Sequence, residues 1–303
     1  MKHTWQITLT LLAMFLATQF IGLAVIHAYV GKQLPYGMQP PENIPPSNAT
    51  LSIIIAFVIA IALIFLLSRI KAKLFLRLWF FVVVILAIGI TLNSLLFYFK
   101  IPYTAAIAAL VALPLAFFKI FKRNLLVHNL TELLIYPGIA SVFVPILDVF
   151  WIIILLLLIS VYDIYAVWHS KFMQKMAKFQ INELGFFAGF FVPYLSKKDR
   201  EKIKYLKQKY KNKKTAENIL KRQKIKVSLA ILGGGDVIFP IIATGIFMKA
   251  FGLLPALFVT FGATIALLIL FMAARKGKFY PAMPFLTAGI FVGMFLGWLI
   301  SLI

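Results

Sequence analysis

The chain reads Leu-Gly-Gly-Gly-Asp-Val-Ile-Phe-Pro at residues 232–240, which places Asp236 inside a stretch that is otherwise apolar enough to cross a membrane. A second stretch of this kind, Ile-Ser-Val-Tyr-Asp-Ile-Tyr at residues 159–165, contains Asp163. A carboxylate near the centre of a bilayer costs about 2.5–3.5 kcal/mol even on insertion-based scales, so such a residue usually has a function. The two aspartates together predict acid–base chemistry within a membrane.

The composition is that of an integral membrane protein. Of the 303 residues, 62% are hydrophobic and only 13% are charged, far from the averages of soluble domains. The formal net charge is +22, but the lysines and arginines lie between apolar stretches, where they flank membrane helices. This distribution argues against nucleic acid as a partner and predicts the lipid bilayer instead. The absence of cysteine excludes disulfides and thiolate metal sites.

We predict an all-α polytopic membrane protein that forms a single membrane domain over residues 1–303. Helix is required because lipid cannot satisfy exposed backbone groups, and about 20 apolar residues cross the hydrocarbon. The chain offers about nine such spans, at 4–30, 50–68, 78–99, 102–118, 130–147, 150–169, 227–248, 254–273 and 284–302. A basic cytoplasmic loop is predicted at 170–226. Its apolar segment at 184–195 is too short to span and predicts an interfacial or re-entrant piece.

The positive charges also predict the orientation. With the N-terminus in the cytoplasm, all of the 31 lysines and arginines except Lys32, Lys100 and Lys249 fall on cytoplasmic connections. Cytoplasmic loops of membrane proteins carry such an excess of positive charge. We therefore predict a cytoplasmic N-terminus and a C-terminus on the outside.

The two aspartates are expected to meet, because both lie close to the basic loop. Asp163 lies about 12 Å of helix before that loop, and Asp236 lies about 15 Å after it. Residues 233–235 are glycines, which allow close packing, and Pro240 is expected to loosen the helix one turn later. Two carboxyl groups in a dry site share a proton, so that one activates water while the other protonates a peptide carbonyl oxygen. The alternative is that each aspartate caps a helix or lines a proton path.

Three short motifs occur in order along the chain: Tyr162-Asp163, Gly233-Gly234-Gly235-Asp236 and Pro281-Ala282-Met283-Pro284. They resemble the YD, GxGD and PAL motifs of the presenilin and signal peptide peptidase family, in order and in span position. The compact chain is most similar to the short microbial members of that family. Met283 departs from the family pattern, which usually has leucine there.

The resemblance implies an intramembrane aspartyl protease that hydrolyses peptide bonds within or near transmembrane segments of other membrane proteins. It implies that Asp163 and Asp236 are the catalytic pair and that no metal or organic cofactor is needed. Substrate-side motif residues are expected to lie beside the pair: Tyr162, Gly233, Gly235, Pro281, Ala282, Met283 and Pro284. The protein is expected as a multi-pass component of the membrane, which is the cell membrane if the source is prokaryotic.

Two alternatives remain open at this point. A proton-coupled transporter or channel also uses intramembrane aspartates, but it commonly has discontinuous helices in inverted repeats. A prepilin-type membrane aspartyl peptidase uses aspartates near the cytoplasmic face, within different motifs. The histidines form no His-Glu-x-x-His motif, which argues against an intramembrane metalloprotease.

The remaining polar residues of the spans are predicted to have structural roles. Glu132 and Asp148 are expected to anchor or cap helices at the interface. Gln19 and Asn93 are expected to make hydrogen bonds between helices, as polar side chains within membrane bundles do.

Overall fold

The computed structural model describes residues 5–38, 48, 51–56, 58–59, 62–63, 73–122, 124–169, 188–195, 227–274 and 280–302. In these ranges eight helices are long and apolar enough to cross a membrane, which confirms the predicted multi-pass helical fold. They are α1 (Trp5–Tyr29), α2 (Lys73–Phe97), α3 (Thr104–Phe121), α4 (Leu125–Phe143), α5 (Val149–Ile164), α6 (Gly234–Phe251), α7 (Leu253–Ala273) and α8 (Met283–Ser301). Nine of the nineteen residues of the predicted span 50–68, and most of the loop 170–226, lie outside the described residues. The orientation and the single-domain assignment stay predictions.

Helix α6 is the central helix of the bundle. It packs against α1, α4, α5, α7 and α8, and most of its side chains from Val237 onward are buried. An interior position of this kind suits a helix that is hydrophobic on every side. The helix continues without interruption through Pro240, so the expected loosening at that residue is not seen.

Helices α7 and α8 pack backbone to backbone. A Cβ atom on Gly289 would lie 2.4 Å from the carbonyl oxygen of Gly262, and one on Gly293 would lie 2.4 Å from that of Phe258. Side chains any larger would separate the helices, because small residues are what allow close approach in a membrane bundle. This contact fixes the position of α8 in the bundle.

A two-stranded antiparallel sheet precedes α6. Strand β1 (Gly189–Leu195) pairs with β2 (Val227–Gly233), in a register that runs from Gly189 opposite Gly233 to Leu195 opposite Val227. The predicted helical span 227–248 was therefore wrong over its first seven residues, which form β2. The predicted re-entrant segment 184–195 likewise contains a strand. Short apolar runs do not distinguish strand from helix by periodicity, and pairing the two runs satisfies their backbone groups.

Candidate active site

Asp236 lies in the first turn of α6, close to its N-terminus. Gly233 is the N-cap residue, and the Asp236 carboxyl group reaches back to its backbone N–H. This is the acidic half of a capping box, in which the third helical residue satisfies an amide that the helix itself leaves unpaired. The chain changes from strand to helix at this point, so β2 leads directly to the carboxyl group.

Asp163 lies at the other end of its helix, one residue before the C-terminus of α5. Its Oδ2 atom accepts a hydrogen bond of 3.0 Å from the backbone N–H of Met283, and the N–H of Ala282 also lies within reach. These amides belong to the start of α8, where they have no partner within the helix. Only 7% of Asp163 is exposed. Each aspartate therefore binds backbone amides at the beginning of a helix.

The fold brings the two aspartates together. Asp163 and Asp236 interact electrostatically, and α5 packs against both α6 and α8. Tyr162 lies next to this pair and interacts electrostatically with Asp163. Two carboxyl groups that interact within an apolar bundle do not both ionise readily.

The glycines that precede Asp236 are in three different environments. A Cβ atom on Gly234 would lie 2.9 Å from the hydroxyl oxygen of Tyr136, and one on Gly233 would lie 3.1 Å from Oδ2 of Asp236. Gly235 is exposed, and a Cβ there would meet only the Phe239 ring, at 3.8 Å. Two of the glycines are thus needed for packing around Asp236, whereas Gly235 leaves space beside it.

The segment from Pro281 to Pro284 forms the start of α8. Ala282 is the N-cap residue, Met283 is the first helical residue, and Pro284 follows it within the first turn. Proline is favoured there because its missing N–H is one that the helix leaves unpaired. Pro281 and Met283 are buried, and Ala282 is half-buried. The predicted irregular backbone is therefore confined to the residues before Met283, and the N–H groups of Ala282 and Met283 point to Asp163.

A family model described as signal-peptide peptidase, presenilin aspartyl protease matches residues 12–303. The chain belongs to this family. Its members are intramembrane aspartate proteases, and the multi-pass fold places the enzyme in a membrane. Transmembrane segments of other proteins are accordingly its substrate class.

Two solved structures share the fold of this protease. A presenilin family intramembrane aspartate protease in the C222 space group is 20% identical, with a TM-score of 0.63 over 97% of this chain and 99% of that one. A presenilin family intramembrane aspartate protease in the P2 space group is 21% identical, with a TM-score of 0.63 over 98% and 100%. No curated protein sequence matches the chain.

Three of the structural roles expected for polar residues in this protease are confirmed. Gln19 donates to the carbonyl oxygen of Val237 at 3.1 Å, and Asn93 donates to the Tyr29 hydroxyl at 2.9 Å, so both join neighbouring helices. Asp148 caps α5 by accepting from the backbone N–H of Trp151 at 2.9 Å.

The expected interfacial role of Glu132 was wrong. Only 1% of the residue is exposed, and its carboxylate forms an ion pair with Lys119 of α3. Sequence reasoning also passed over Tyr136, whose buried hydroxyl group lies close to Gly234 and interacts with Asp236. One signal was available: His128, Glu132 and Tyr136 recur every four residues, which places them on one face of α4. Among the described residues, no three His, Asp or Glu side chains are grouped to hold a metal ion.

Proposed function

We propose that Asp163 and Asp236 are the catalytic pair with which this protease hydrolyses peptide bonds in transmembrane segments. The observation that carries the proposal is that the fold brings two carboxyl groups within electrostatic reach of each other inside a bundle of apolar helices. Each carboxyl group is held by backbone N–H groups at the start of a helix, Asp236 at the start of α6 and Asp163 at the start of α8. Such an arrangement fixes the separation of the pair without other charged side chains.

The reaction needs one ionised and one protonated carboxyl group. The ionised group takes a proton from water as the water oxygen attacks the peptide carbonyl carbon, and the protonated group donates to the carbonyl oxygen. The tetrahedral intermediate then collapses, the bond between carbon and nitrogen breaks, and the leaving nitrogen receives a proton. The products are a carboxylic acid and an amine, and the pair again holds one proton. General acid–base steps of this kind contribute about 10²–10⁴-fold each.

The substrate is proposed to be bound as an unwound strand. A helical transmembrane segment hides its peptide bonds in its own hydrogen bonds, and groups exposed by unwinding need new partners in a dry site. Strand addition supplies such partners. Two segments next to the aspartates offer backbone for it: β2, which ends at Gly233, and the residues before Met283. Gly235 leaves room for the incoming chain.

A proton path is the competing function for two intramembrane aspartates. Family membership favours hydrolysis, and the position of both carboxyl groups at helix starts favours a fixed pair over a series of separate sites. If the protein were a proton path, vesicles that contain it would take up protons and no peptide product would form.

The test uses purified protein in detergent or liposomes with a peptide that contains one transmembrane segment, and mass spectrometry to detect products. Wild type is compared with Asp163→Asn, Asp236→Asn and Asp148→Asn. The last variant is the matched control, because Asp148 is a carboxylate at the opposite end of α5 that only caps its helix. We expect cleavage by wild type and by the control alone. Cleavage by either of the other two variants at the wild-type rate would refute the assignment.

A further inference from the structure

One face of α4 binds the backbone of β1 in place of a neighbouring strand. The Asn129 side chain makes two hydrogen bonds with Phe191, accepting from its N–H at 3.0 Å and donating to its carbonyl oxygen at 2.7 Å. His128 Nε2 lies 2.8 Å from the carbonyl oxygen of Gly189, and the Glu132 carboxylate lies 3.4 Å from the N–H of the same glycine. The backbone N–H and carbonyl groups of Gly189 and Phe191 are therefore all paired with side chains of α4.

These contacts occupy the edge of β1 that faces away from β2. In an antiparallel pair, the N–H and carbonyl groups of one residue point to the same edge, and successive residues alternate between edges. The backbone N–H and carbonyl groups of Gly189 and Phe191 thus point to α4, while those of Phe190 and Val192 point to β2. Pro193 is the next residue on the α4 side, and it has no N–H that needs an acceptor. The sequence of β1 suits a strand whose second neighbour is a helix.

Two of these side chains, His128 and Glu132, are themselves held by a buried cation. Lys119 of α3 forms the ion pair with Glu132, and its ammonium group lies 3.4 Å from Nδ1 of His128. A carbonyl oxygen only accepts, so Nε2 of His128 carries the proton toward Gly189, and Nδ1 accepts from Lys119. A buried ion pair contributes little net stability, because desolvation offsets its attraction. It does fix the direction in which its members point.

A hydrogen bond connects the held strand β1 to the start of α6. The carbonyl oxygen of Ala188, the residue before β1, accepts a hydrogen bond of 3.1 Å from the N–H of Gly234. Gly234 is the first residue of α6, two positions before Asp236. Tyr136, one turn beyond Glu132 on α4, packs edge-to-face on Phe190 with ring centroids 5.7 Å apart, and a Cβ atom on Gly234 would lie 2.9 Å from its hydroxyl oxygen. The same face of α4 therefore contacts both β1 and the helix start.

We propose that His128, Asn129 and Glu132 are positioning residues for the protease: they hold β1, and through the hydrogen bond between Ala188 and Gly234 they fix the turn that carries Asp236. The proposal rests on the catalytic role given above to Asp236. None of the three side chains acts on substrate. Their removal lowers the rate of the chemical step, because a carboxyl group displaced by about 1 Å costs roughly 10²-fold.

The first experiment compares Asn129→Leu with Asn124→Ala. Leucine has nearly the shape of asparagine but makes neither hydrogen bond to Phe191. Asn124 is the N-cap of the same helix, accepting from the N–H groups of Leu126 and Val127, so its loss weakens α4 without touching β1. We expect Asn129→Leu to lower kcat for the single-span peptide roughly 10- to 100-fold with KM nearly unchanged. Asn124→Ala is expected to keep the wild-type kcat. Equal kcat values in wild type and Asn129→Leu would overturn the proposal.

Hydrogen exchange measured by mass spectrometry shows whether Asn129→Leu loses activity because β1 is released or because the whole protein is poorly folded. Local release of β1 predicts faster exchange in residues 188–195 and 227–236, with α8 as protected as in wild type. Faster exchange in every helix means general unfolding, and it would count against a positioning role.

Two double variants distinguish the effect of the Glu132 hydrogen bond on kcat from the effect of its charge. Lys119→Met with Glu132→Gln removes both charges but keeps a side-chain oxygen that accepts from Gly189. Lys119→Met with Glu132→Leu removes the acceptor as well. We expect the glutamine variant to retain a higher kcat than the leucine variant at similar melting temperatures, and equal kcat values would exclude Glu132 from the positioning set. Retained cleavage by Asp236→Asn, in contrast, would refute the catalytic role on which this proposal rests, whereas the exchange measurement reports separately whether the three side chains hold β1.

Discussion

The starts of α6 and α8 both place a carboxyl group on backbone amides, but they are built in different ways. Asp236 belongs to the helix that it caps and reaches back only three residues, to Gly233. Asp163 caps α8 from another helix, and 120 positions separate it from Met283 in the sequence. A strand that ends in glycine leads into α6, whereas one proline precedes α8 and another lies in its first turn. One half of the site is local and the other half is tertiary.

This difference indicates what each half contributes. The start of α6 is surrounded by α4 and β1, so its geometry is set by packing and by the glycines that permit that packing. The start of α8 has Asp163 as its partner, so its geometry depends on how α5 and α8 are held together.

The largest effect is expected when either aspartate becomes asparagine. The asparagine side-chain oxygen still accepts from Gly233 or Met283, so both helix starts keep their hydrogen bonds and the protein remains folded. Proton transfer is lost, which lowers the cleavage rate by about 10²–10⁴-fold or more. The double variant should be no slower than either single variant, because the pair acts as a unit. Cleavage rates and melting temperatures of the three variants decide this, and additive losses would show that the two groups act independently.

The second prediction concerns the dependence of cleavage on pH. Below the optimum both carboxyl groups are protonated and no base remains, and above it both are ionised and no acid remains. The rate should therefore follow a bell-shaped curve, falling about tenfold per pH unit on each side, and both limbs belong to the pair. Initial rates with a peptide that stays soluble and bound provide the measurement. A flat rate between roughly pH 4 and 9 contradicts a shared proton.

The third prediction concerns a larger side chain at Ala282, directly before α8. Ala282 is half-buried at the N-cap and is one of the residues before Met283 that are proposed to bind the unwound substrate. Ala282→Phe fills that space and should lower cleavage of membrane-spanning peptides by roughly 10²-fold.

Met283→Leu is the matched control for Ala282→Phe, since it conserves volume and costs less than about 1.5 kcal/mol. The two variants are compared at equal expression with melting temperatures recorded. Wild-type cleavage by Ala282→Phe would mean that this segment is only the start of a helix.

The fourth prediction separates two glycines at the start of α6. Gly234→Ala forces its new methyl group against the buried Tyr136 hydroxyl, so the first turn must move, and both kcat and the melting temperature should fall. Gly235→Ala meets only the Phe239 ring at an ordinary contact distance, so the melting temperature should stay the same. If Gly235 leaves space for substrate, that variant raises KM by about tenfold, which corresponds to about 1.4 kcal/mol. Identical kinetics in Gly235→Ala and wild type would remove Gly235 from the substrate site.

The difference between the starts of α6 and α8 also explains which parts of the site could be predicted from the sequence. Asp236 and its glycines form a local motif, and Asp163 is conspicuous because a carboxylate in an apolar stretch is rare. Both could be identified from the sequence, as could the spanning helices. The contact between Asp163 and Met283 depends on a helix pair, which no local pattern encodes.

Two other features were inaccessible for different physical reasons. Residues 227–233 are apolar and short, so length and periodicity did not separate strand from helix, and the partner strand lies far away in the sequence. Glu132 was expected at the interface because it lies near the end of the predicted span 130–147, and its counter-ion, Lys119, was counted among the flanking charges. Burial of the ion pair follows from how α3 and α4 pack, which the pattern of charges alone does not show.

The smallest effect is expected for the contact that joins α5 to α8 one turn away from the aspartate. The hydroxyl groups of Ser160 and Thr287 lie 2.8 Å apart, and both residues are buried. Hydrogen bonds between membrane helices average about 0.6 kcal/mol, because each hydroxyl group also finds a partner within its own helix. Ser160 does so here, donating to the carbonyl oxygen of Leu156 at 2.8 Å. Ser160→Ala with Thr287→Val should therefore lower stability by less than about 1 kcal/mol. The cleavage rate should stay within about threefold of wild type, because Asp163 still holds Met283. Melting temperature and kcat are measured on the same preparation. A loss of cleavage comparable to that of Asp163→Asn would mean that the hydroxyl pair, and not the carboxyl group, aligns the start of α8.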